Sequence, residues 1–294
     1  MMASFDLSSA STVREALILT RTAFRESELE TADLDARLLI SRLADLASHQ
    51  LATNGDLPLT DAVRGKIERA AGERLAGKPV HRILGTRDFY GLSLKLSGAT
   101  LEPRPDTETL IDAVLPFVHD RVVQTGCCEI VDLGIGAGGI GLALVAECTQ
   151  ARCLGIDVSL EAVTTALTNA RELGLSARYS AVTGDWFRGV EQHFDLIVSN
   201  PPYIPTADIA SLSREVVAHD PLLALDGGKD GLDAYRQIAA QCRTRLKSGG
   251  QVALEIGVGQ RKSVTELFVA QRFELSQVVA DLGGVDRVLV FAGG

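Results

Sequence analysis

The chain has 294 residues, of which 46% are hydrophobic and 23% are charged, and its formal net charge is −9. This length favours two domains, and the apolar share suffices for a packed core and excludes wholesale disorder. No apolar run of about 18 residues and no signal-peptide pattern occurs, so we expect a soluble, cytoplasmic protein. The acidic balance disfavours a nucleic-acid substrate and is compatible with a small molecule or a protein that carries a basic surface.

The cysteine pattern favours neither a disulfide framework nor a metal site. The odd number of cysteines includes no Cys-x-x-Cys pair, and no histidine stands at ligand spacing, so we predict no metal ligand. A reducing compartment is the expected setting for such a chain. The five residues are Cys127, Cys128, Cys148, Cys153 and Cys242.

Hydrophobic spacing divides the chain into three parts. Residues 1–82 hold three predicted amphipathic helices, at 13–26, 31–47 and 60–75, and no group of catalytic side chains, so we predict a helical substrate-binding domain. Residues 83–105 carry two short predicted strands and then Pro103-Arg104-Pro105, a stiff connector that we predict to be the joint. The second predicted domain covers residues 106–294.

From residue 129 onward, strand patterns alternate with helix patterns. This alternation is typical of an α/β fold with a mostly parallel, doubly wound sheet. The predicted helices of this half are 107–118, 139–147, 160–173 and 232–246. The predicted strands are 130–133, 153–157, 179–183, 194–199, 252–256 and 287–291.

A glycine-rich loop follows the first of these strands. Its glycines let the backbone approach a ligand, and Gly134, Gly136 and Gly139 match the dinucleotide pattern G-x-G-x-x-G. Asp157, at the end of the second strand, suits the ribose of either a nicotinamide cofactor or S-adenosylmethionine. Asp132 favours the second cofactor, since a carboxylate there would repel a pyrophosphate and attract an ammonium and a sulfonium. A turn without a ligand is the plainer interpretation of the glycines alone.

The sequence Asn200-Pro201-Pro202-Tyr203 follows the predicted strand 194–199. Two adjacent prolines make a rigid loop without a donor N–H at either position, at the edge where open α/β sheets bind ligands. The Asn200 side-chain oxygen and the Pro201 carbonyl can each accept one N–H of an amino group on a planar carbon, with Tyr203 packed against that plane. A simple strand terminator would explain the prolines but not the asparagine and tyrosine that flank them.

The combination of motifs resembles one family. Asn-Pro-Pro-Tyr together with this glycine loop is similar to enzymes that methylate DNA adenine N6, RNA bases or protein glutamine N5. From about residue 10 onward the chain resembles the HemK/PrmC family, the peptide chain release factor glutamine-N5 methyltransferases. The further motifs that carry this resemblance are Ile83-Leu84-Gly85, Phe89-Tyr90-Gly91, Pro103-Arg104-Pro105-Asp106-Thr107-Glu108, Gly184-Asp185-Trp186-Phe187, Leu225-Asp226-Gly227-Gly228-Lys229-Asp230-Gly231-Leu232, Glu255-Ile256-Gly257 and Asp286-Arg287.

The resemblance implies a fold, a reaction and a partner. The implied fold is a seven-stranded class I S-adenosylmethionine-dependent methyltransferase domain, preceded by a small helical domain and a short β-hairpin joint. The implied reaction moves a methyl group from S-adenosylmethionine, leaving S-adenosylhomocysteine, to the side-chain amide of the glutamine in the Gly-Gly-Gln motif of release factors. The partner is then a release factor, without a membrane or a nucleic-acid substrate.

The resemblance also assigns roles to residues. Asp157 holds the ribose, Asp185 meets the adenine amino group and Trp186 stacks on the adenine, although core packing is the alternative for Trp186. Asn200 contacts both cofactor and substrate. The residues that line the methionine part are Gly134, Ile135, Gly136, Ala137 and Gly138, although the family commonly has hydroxyl side chains where Ile135 and Ala137 stand. The implied catalytic residues are Asn200, Pro201 and Tyr203, and Pro202 completes the substrate-binding loop.

Other interpretations stay open beside this one. The same chemistry on a ribosomal protein glutamine is the nearest, followed by a nucleic-acid adenine methyltransferase and a cofactor-binding regulatory module. Arg104 and Glu108 either border the site or form an ion pair at the joint. Gly249-Gly250-Gln251 matches the family's target sequence, but we interpret it as an ordinary turn and the first residue of a strand.

Overall fold

The chain divides between Gly85 and Thr86 into a helical unit and an α/β unit. The computed structural model describes residues 5–293. No helix within that range is long and apolar enough to cross a membrane.

The helical unit packs its amphipathic helices around two apolar clusters. Thr12 begins the first helix with a capping box, in which its hydroxyl accepts from the Glu15 N–H while the Glu15 carboxylate accepts from the Thr12 N–H. A buried ion pair of 2.7 Å joins Asp35 to Arg74 across two helices. The helix predicted at 31–47 ends earlier, at Leu43. The helices are α1 (Val13–Glu26), α2 (Ala32–Leu43), α3 (Gln50–Thr53), α4 (Asp61–Leu75) and α5 (Val80–Leu84).

The α/β unit begins with the predicted hairpin, β1 (Thr86–Phe89) paired antiparallel with β2 (Leu92–Lys95). Tyr90 and Gly91 form its two-residue turn, with φ values of +47° and +74°. Positive φ at both positions matches the twist of the flanking strands, which is why glycine is favoured in such turns.

A seven-stranded sheet forms the centre of this unit, as predicted. Its order is β5-β4-β3-β6-β7-β9-β8, parallel from β5 to β7 and antiparallel at the β8–β9 edge. The strands are β3 (Cys128–Leu133), β4 (Ala151–Asp157), β5 (Tyr179–Thr183), β6 (Phe194–Ser199), β7 (Leu246–Glu255), β8 (Phe273–Ala280) and β9 (Asp286–Gly293).

Helices cover both faces of the sheet. Successive residues of β6 belong to different apolar clusters, with Leu196 and Val198 in one and Ile197 in the other. Two short 3-10 turns, Pro105–Thr107 and Thr206–Ser211, supplement the helices. The helices are α6 (Glu108–Thr125), α7 (Gly139–Glu147), α8 (Leu160–Glu172), α9 (Arg214–His219), α10 (Leu222–Leu225), α11 (Asp233–Cys242) and α12 (Arg261–Ala270).

The sheet reverses its direction of growth at β3. Leu133, the last residue of β3, is in register with Ile156 of β4 on one side and with Ser199 of β6 on the other. The carboxyl ends of β3 and β6 are therefore neighbours, and open α/β sheets bind ligands outside such a switch point. The glycine loop that follows β3 and the Asn200 loop that follows β6 consequently meet at one edge.

The prediction for Gly249-Gly250-Gln251 was wrong. The helix predicted at 232–246 ends at Cys242, and β7 already begins at Leu246, so the three residues lie inside a strand. Their pairing with β6 shifts register between Phe194 and Leu196, and Gly249 has a φ of +68°. A left-handed glycine lets the strand bulge and continue where the pattern suggested a break.

The edge strand β8 was absent from the predicted strands. Its burial alternates irregularly along Phe273–Ala280, and its pairing with β9 contains two register shifts. An edge strand with one solvent-exposed face has fewer apolar residues than a buried central strand, and its sequence pattern is therefore harder to recognise as a strand.

Replacing Phe291 by alanine should strongly destabilise the α/β unit. The ring is fully buried and stacks on Phe268 at a centroid distance of 4.5 Å. Loss of such a buried ring costs roughly 3–5 kcal/mol of unfolding free energy. Urea denaturation followed by circular dichroism measures this loss. The matched control is Leu282→Ala, at a fully exposed position, which should change the unfolding free energy by less than about 0.5 kcal/mol. Equal effects of the two substitutions would contradict the described core.

Candidate active site

A cavity of about 410 Å³ opens at the switch point of the sheet. Its volume lies within the usual range for sites that hold a small molecule or cofactor. Its lining includes nine of the twelve residues predicted for the site: Gly134, Ile135, Gly136, Ala137, Asp157, Asp185, Trp186, Asn200 and Pro202.

The glycine loop approaches the cavity with its backbone. Gly134 and Gly136 have φ values of +72° and +52°, which residues with a Cβ rarely adopt. The N–H groups of Gly134 and Ile135 both donate to the carbonyl of Ile156 on β4, and this fixes the path of the loop. A Cβ built at Gly134 would meet no protein atom within 4 Å, so the space beside it is open to a ligand.

Asp157 braces this loop and also borders the cavity. One carboxylate oxygen accepts from the Gly136 N–H at 3.0 Å, and the other accepts from the Ser159 N–H at 2.9 Å. Burial raises the pKa of Asp157, whereas these backbone hydrogen bonds lower it. Each oxygen keeps acceptor capacity beyond its single backbone bond, which a ribose hydroxyl can use.

Asn169 is a site-building residue that the sequence analysis did not single out. It is 1% exposed, and its side-chain N–H groups donate to the carbonyls of Ala137 and Lys95 at 2.9 and 3.1 Å. Its side-chain oxygen accepts from the Lys95 N–H at 2.8 Å. Asn169 therefore ties the glycine loop to the hairpin strand β2. Its buried position late in a helix was the available signal, because a buried amide must find partners.

Asp132 has a different position from the one our cofactor argument required. It is 1% exposed, does not line the cavity, and accepts from the Gly141 N–H near the start of α7 at 2.9 Å. Burial raises its pKa to about 7. The residue stabilises the N-terminal turn of the helix, where N–H groups lack helical partners.

The charged residues that line the cavity, rather than Asp132, distinguish S-adenosylmethionine from a dinucleotide as the favoured ligand. Four carboxylate residues line the cavity, against a single cationic side chain, Arg104. This excess of negative charge suits an ammonium and a sulfonium and disfavours a pyrophosphate. The acidic residues are Asp157, Asp185, Asp226 and Asp233.

The position of Trp186 is compatible with both predicted roles, stacking on the adenine and packing in the core. It lines the cavity, and it is also half-buried against the apolar cluster on one face of the sheet. Its φ of +51° is unusual for a residue with a bulky side chain. Asp185, beside it, is exposed at the cavity wall and its carbonyl accepts from the Arg188 N–H at 3.0 Å, closing a tight turn.

Asn200 lines the cavity directly after β6. Its side-chain nitrogen donates to the hydroxyl of Thr107 at 3.1 Å, so its oxygen is the atom left for an incoming donor. Pro202 also lines the cavity, whereas Pro201, Tyr203 and Gly138 do not. Tyr203 packs instead on an apolar cluster, and its carbonyl accepts from Gln260 at 2.9 Å.

The two charged residues near the joint have separate partners. Arg104 lines the cavity, and its ion pair of 2.6 Å is with Asp220 rather than with Glu108. Glu108 does not pair with Arg104 in the described interactions; its carboxylate accepts from the Tyr90 N–H of the hairpin turn at 2.8 Å.

Two family models match the chain. A model described as "Methyltransferase small domain" matches residues 118–221, and one described as "PrmC N-terminal domain" matches residues 15–85. A protein named release factor glutamine methyltransferase from Agrobacterium fabrum is 44% identical over 95% of this chain and 97% of its own length. A protein of the same name from Bradyrhizobium diazoefficiens is 44% identical over 90% of this chain and 89% of its own length.

The chain belongs to the release factor glutamine methyltransferase family. The predicted family membership is thereby confirmed. Among solved structures, a methyltransferase from Pyrococcus furiosus superposes with a TM-score of 0.52 at 19% identity, covering 69% of this chain and 90% of that one. This likeness confirms the predicted class I methyltransferase fold.

Replacing Asp157 by alanine should weaken binding of S-adenosylmethionine, the predicted cofactor. The substitution removes an acceptor for the ribose and the brace on Gly136. Loss of hydrogen bonds to a charged group costs roughly 1.5–3 kcal/mol of binding free energy. Calorimetric titration measures the change. Glu266→Ala, on the exposed side of α12, is the control and should bind as the wild type does. Unchanged affinity in Asp157→Ala, or tighter binding of NAD than of S-adenosylmethionine by the wild type, would contradict the assignment.

Proposed function

We propose that this chain transfers a methyl group from S-adenosylmethionine to the side-chain amide nitrogen of a glutamine in peptide chain release factors. The acceptor that we assign is the glutamine of the Gly-Gly-Gln motif. The names of the curated relatives, at 44% identity over most of both chains, support this activity and its protein substrate. The observation at the site that carries the proposal is Asn200, which borders an acidic cavity and whose side-chain nitrogen is bound to Thr107, so that its oxygen is left for the acceptor amide.

The residues of the cavity fit S-adenosylmethionine. The glycine loop leaves open space beside Gly134, which can admit the methionine part of the cofactor. Asp157 offers acceptors for its ribose. Trp186 and Asp185 stand at the wall where we assign the adenine. S-adenosylmethionine supplies the methyl group as an electrophile on a positively charged sulfur.

Asn200 acts on the acceptor amide by binding its N–H groups. An amide nitrogen is a weak nucleophile because its lone pair is delocalised into the carbonyl. During methyl transfer its N–H groups become more acidic, so acceptors such as the Asn200 oxygen and the Pro201 carbonyl bind them more strongly in the transition state. One of these protons then leaves to water, which gives the neutral N-methyl amide. Interactions that strengthen in the transition state are those that accelerate a reaction.

The Tyr203 ring supports this loop from behind. It packs on an apolar cluster, and a Cβ at Gly257 would come within 2.9 Å of it. We assign it the role of holding the Asn-Pro-Pro segment in place for the acceptor amide. Holding the nitrogen, methyl and sulfur in line increases the rate, because the reacting atoms are already positioned for transfer.

Replacing Asn200 by alanine should reduce the rate of methyl transfer by about 10²–10³-fold, as expected for loss of an electrostatic contact of this kind. The fold should persist, because two prolines and the β6 strand set the backbone. Single-turnover methylation of a release factor measures the rate, and mass spectrometry locates the methyl group. The control Gln124→Ala changes an exposed amide on α6 and should keep the wild-type rate. Wild-type transfer by Asn200→Ala, or a methyl group on a residue other than glutamine, would refute the mechanism.

Deleting residues 1–85 should separate cofactor binding from methylation of the protein substrate. Each residue that lines the cavity lies beyond Thr86, in the second unit. We therefore expect the remaining unit to bind S-adenosylmethionine with wild-type affinity and to methylate a release factor poorly at low substrate concentration. Calorimetry and initial rates measure the two properties. Full methylation by the truncated chain would contradict a substrate-holding role for the helical unit.

A further inference from the structure

A buried carboxylate stands beside the Asn200 loop. Glu255 is the last residue of β7, and Leu254 is in register with Ser199 of β6, so Glu255 is level with Asn200 on the neighbouring strand. The Glu255 residue is 1% exposed. Burying an ionisable group is costly unless other groups compensate it, so such a residue calls for a role.

Two polar side chains of the site interact with this carboxyl group. The side chains of Thr107 and Asn200 both lie close enough to Glu255 to lower the pKa of its carboxyl group. Both side chains therefore favour the ionised form, as polar hydrogens near a carboxylate do. The Oε2 atom of Glu255 has no hydrogen-bond partner among residues 5–293.

The hydroxyl of Thr107 does not cap its own helix. Thr107 stands at the N-cap of α6, where a threonine usually accepts from a helix N–H. Here its side chain makes no capping bond and instead accepts from the Asn200 side-chain nitrogen at 3.1 Å. Its single hydroxyl proton is then free to be donated to Glu255.

The buried carboxylate beside the bond between Asn200 and Thr107 determines the orientation of the Asn200 amide. A carboxylate only accepts hydrogen bonds, so it attracts the NH₂ end of Asn200 and repels the oxygen end. The Thr107 hydroxyl, once it donates to the carboxylate, likewise accepts from the NH₂ end. Turning the amide over would set its oxygen against the carboxylate and withdraw the acceptor from the cavity.

We propose that Glu255, directly and through Thr107, is a positioning residue that holds the Asn200 side-chain oxygen toward the acceptor amide. This inference rests on the proposed function and adds to it the group that orients the substrate-binding asparagine. Glu255 touches neither the cofactor nor the acceptor in this assignment. It acts by excluding the unproductive orientation of Asn200.

The proposal carries a pH dependence, because only the carboxylate form is purely an acceptor. The charged or titratable groups around Glu255 are Arg287, which favours its ionised form, and Asp106, Tyr203 and Tyr235. Burial outweighs these effects and raises the pKa of Glu255 to about 7. Protonated Glu255 can donate to the oxygen of a turned Asn200. The rate of methyl transfer should therefore fall as the pH decreases through about 7.

The first test is Glu255→Gln, which keeps the shape of the side chain and adds a donor. We expect kcat for release factor methylation to fall by about 10–10²-fold, as for a small misplacement of a catalytic group. The affinity for S-adenosylmethionine should stay at the wild-type value, and the acidic limb of the kcat profile near pH 7 should disappear. A wild-type kcat, or an unchanged acidic limb in the variant, would overturn the proposal.

A pair of substitutions at Thr107 tests the same chain of hydrogen bonds without altering Glu255. Thr107→Ser retains the hydroxyl and should retain most of kcat, whereas Thr107→Val removes only the hydroxyl and should lose about as much as Glu255→Gln. Equal rates for the serine and valine variants would overturn the proposal, even where Glu255→Gln fails to fold. Wild-type methylation of the release factor, confirmed by mass spectrometry, tests the proposed function separately. If the wild type does not methylate the release factor, the proposed function itself fails.

Discussion

The site depends on the parallel pairing of β3 with β4 on one side and β6 on the other. Leu133 is in register with both Ile156 and Ser199, so the loops that follow these strands emerge side by side. Backbone hydrogen bonds from the glycine loop to Ile156 then fix its path. No single loop forms the cavity, and a shift of one register would separate the glycine loop from Asn200.

Buried polar residues convert this arrangement into a defined site. Asn169 connects the glycine loop to the hairpin, and Asp157 connects the same loop to the end of β4. Thr107 connects the start of α6 to Asn200. Such groups stabilise one arrangement because a buried donor or acceptor that loses its partner costs about 1–3 kcal/mol. Other conformations of the backbone and side chains that border the cavity would leave these groups without partners and are therefore energetically unfavourable.

Electrostatics distinguishes the cavity from a dinucleotide site of similar topology. The glycine pattern fits both cofactor classes, but four carboxylate residues and one arginine line the space. Our sequence argument reached the same preference through Asp132, which is buried beneath the loop and holds α7. A charge next to a glycine loop in the sequence carries no information on which side of the backbone it faces, whereas the tertiary structure decides that point.

The sequence by itself determined the fold class, the family and the positions of the cofactor and acceptor loops, because these depend on local periodicity and on contiguous motifs. Helices α1 and α7 and strands β5 and β6 have the predicted bounds, and α4 begins one residue later than predicted. The tertiary structure alone decided the bulged start of β7, the edge strand β8 and the partners of Asn200, because each depends on residues distant in the chain. Thr107 and Glu255 belong to motifs that carry the family resemblance but had no assigned role, and Asn169 belongs to none of these motifs. Their importance arises only where the sheet brings their side chains against the two loops, and the physical reason is that a buried polar group is defined by its partners.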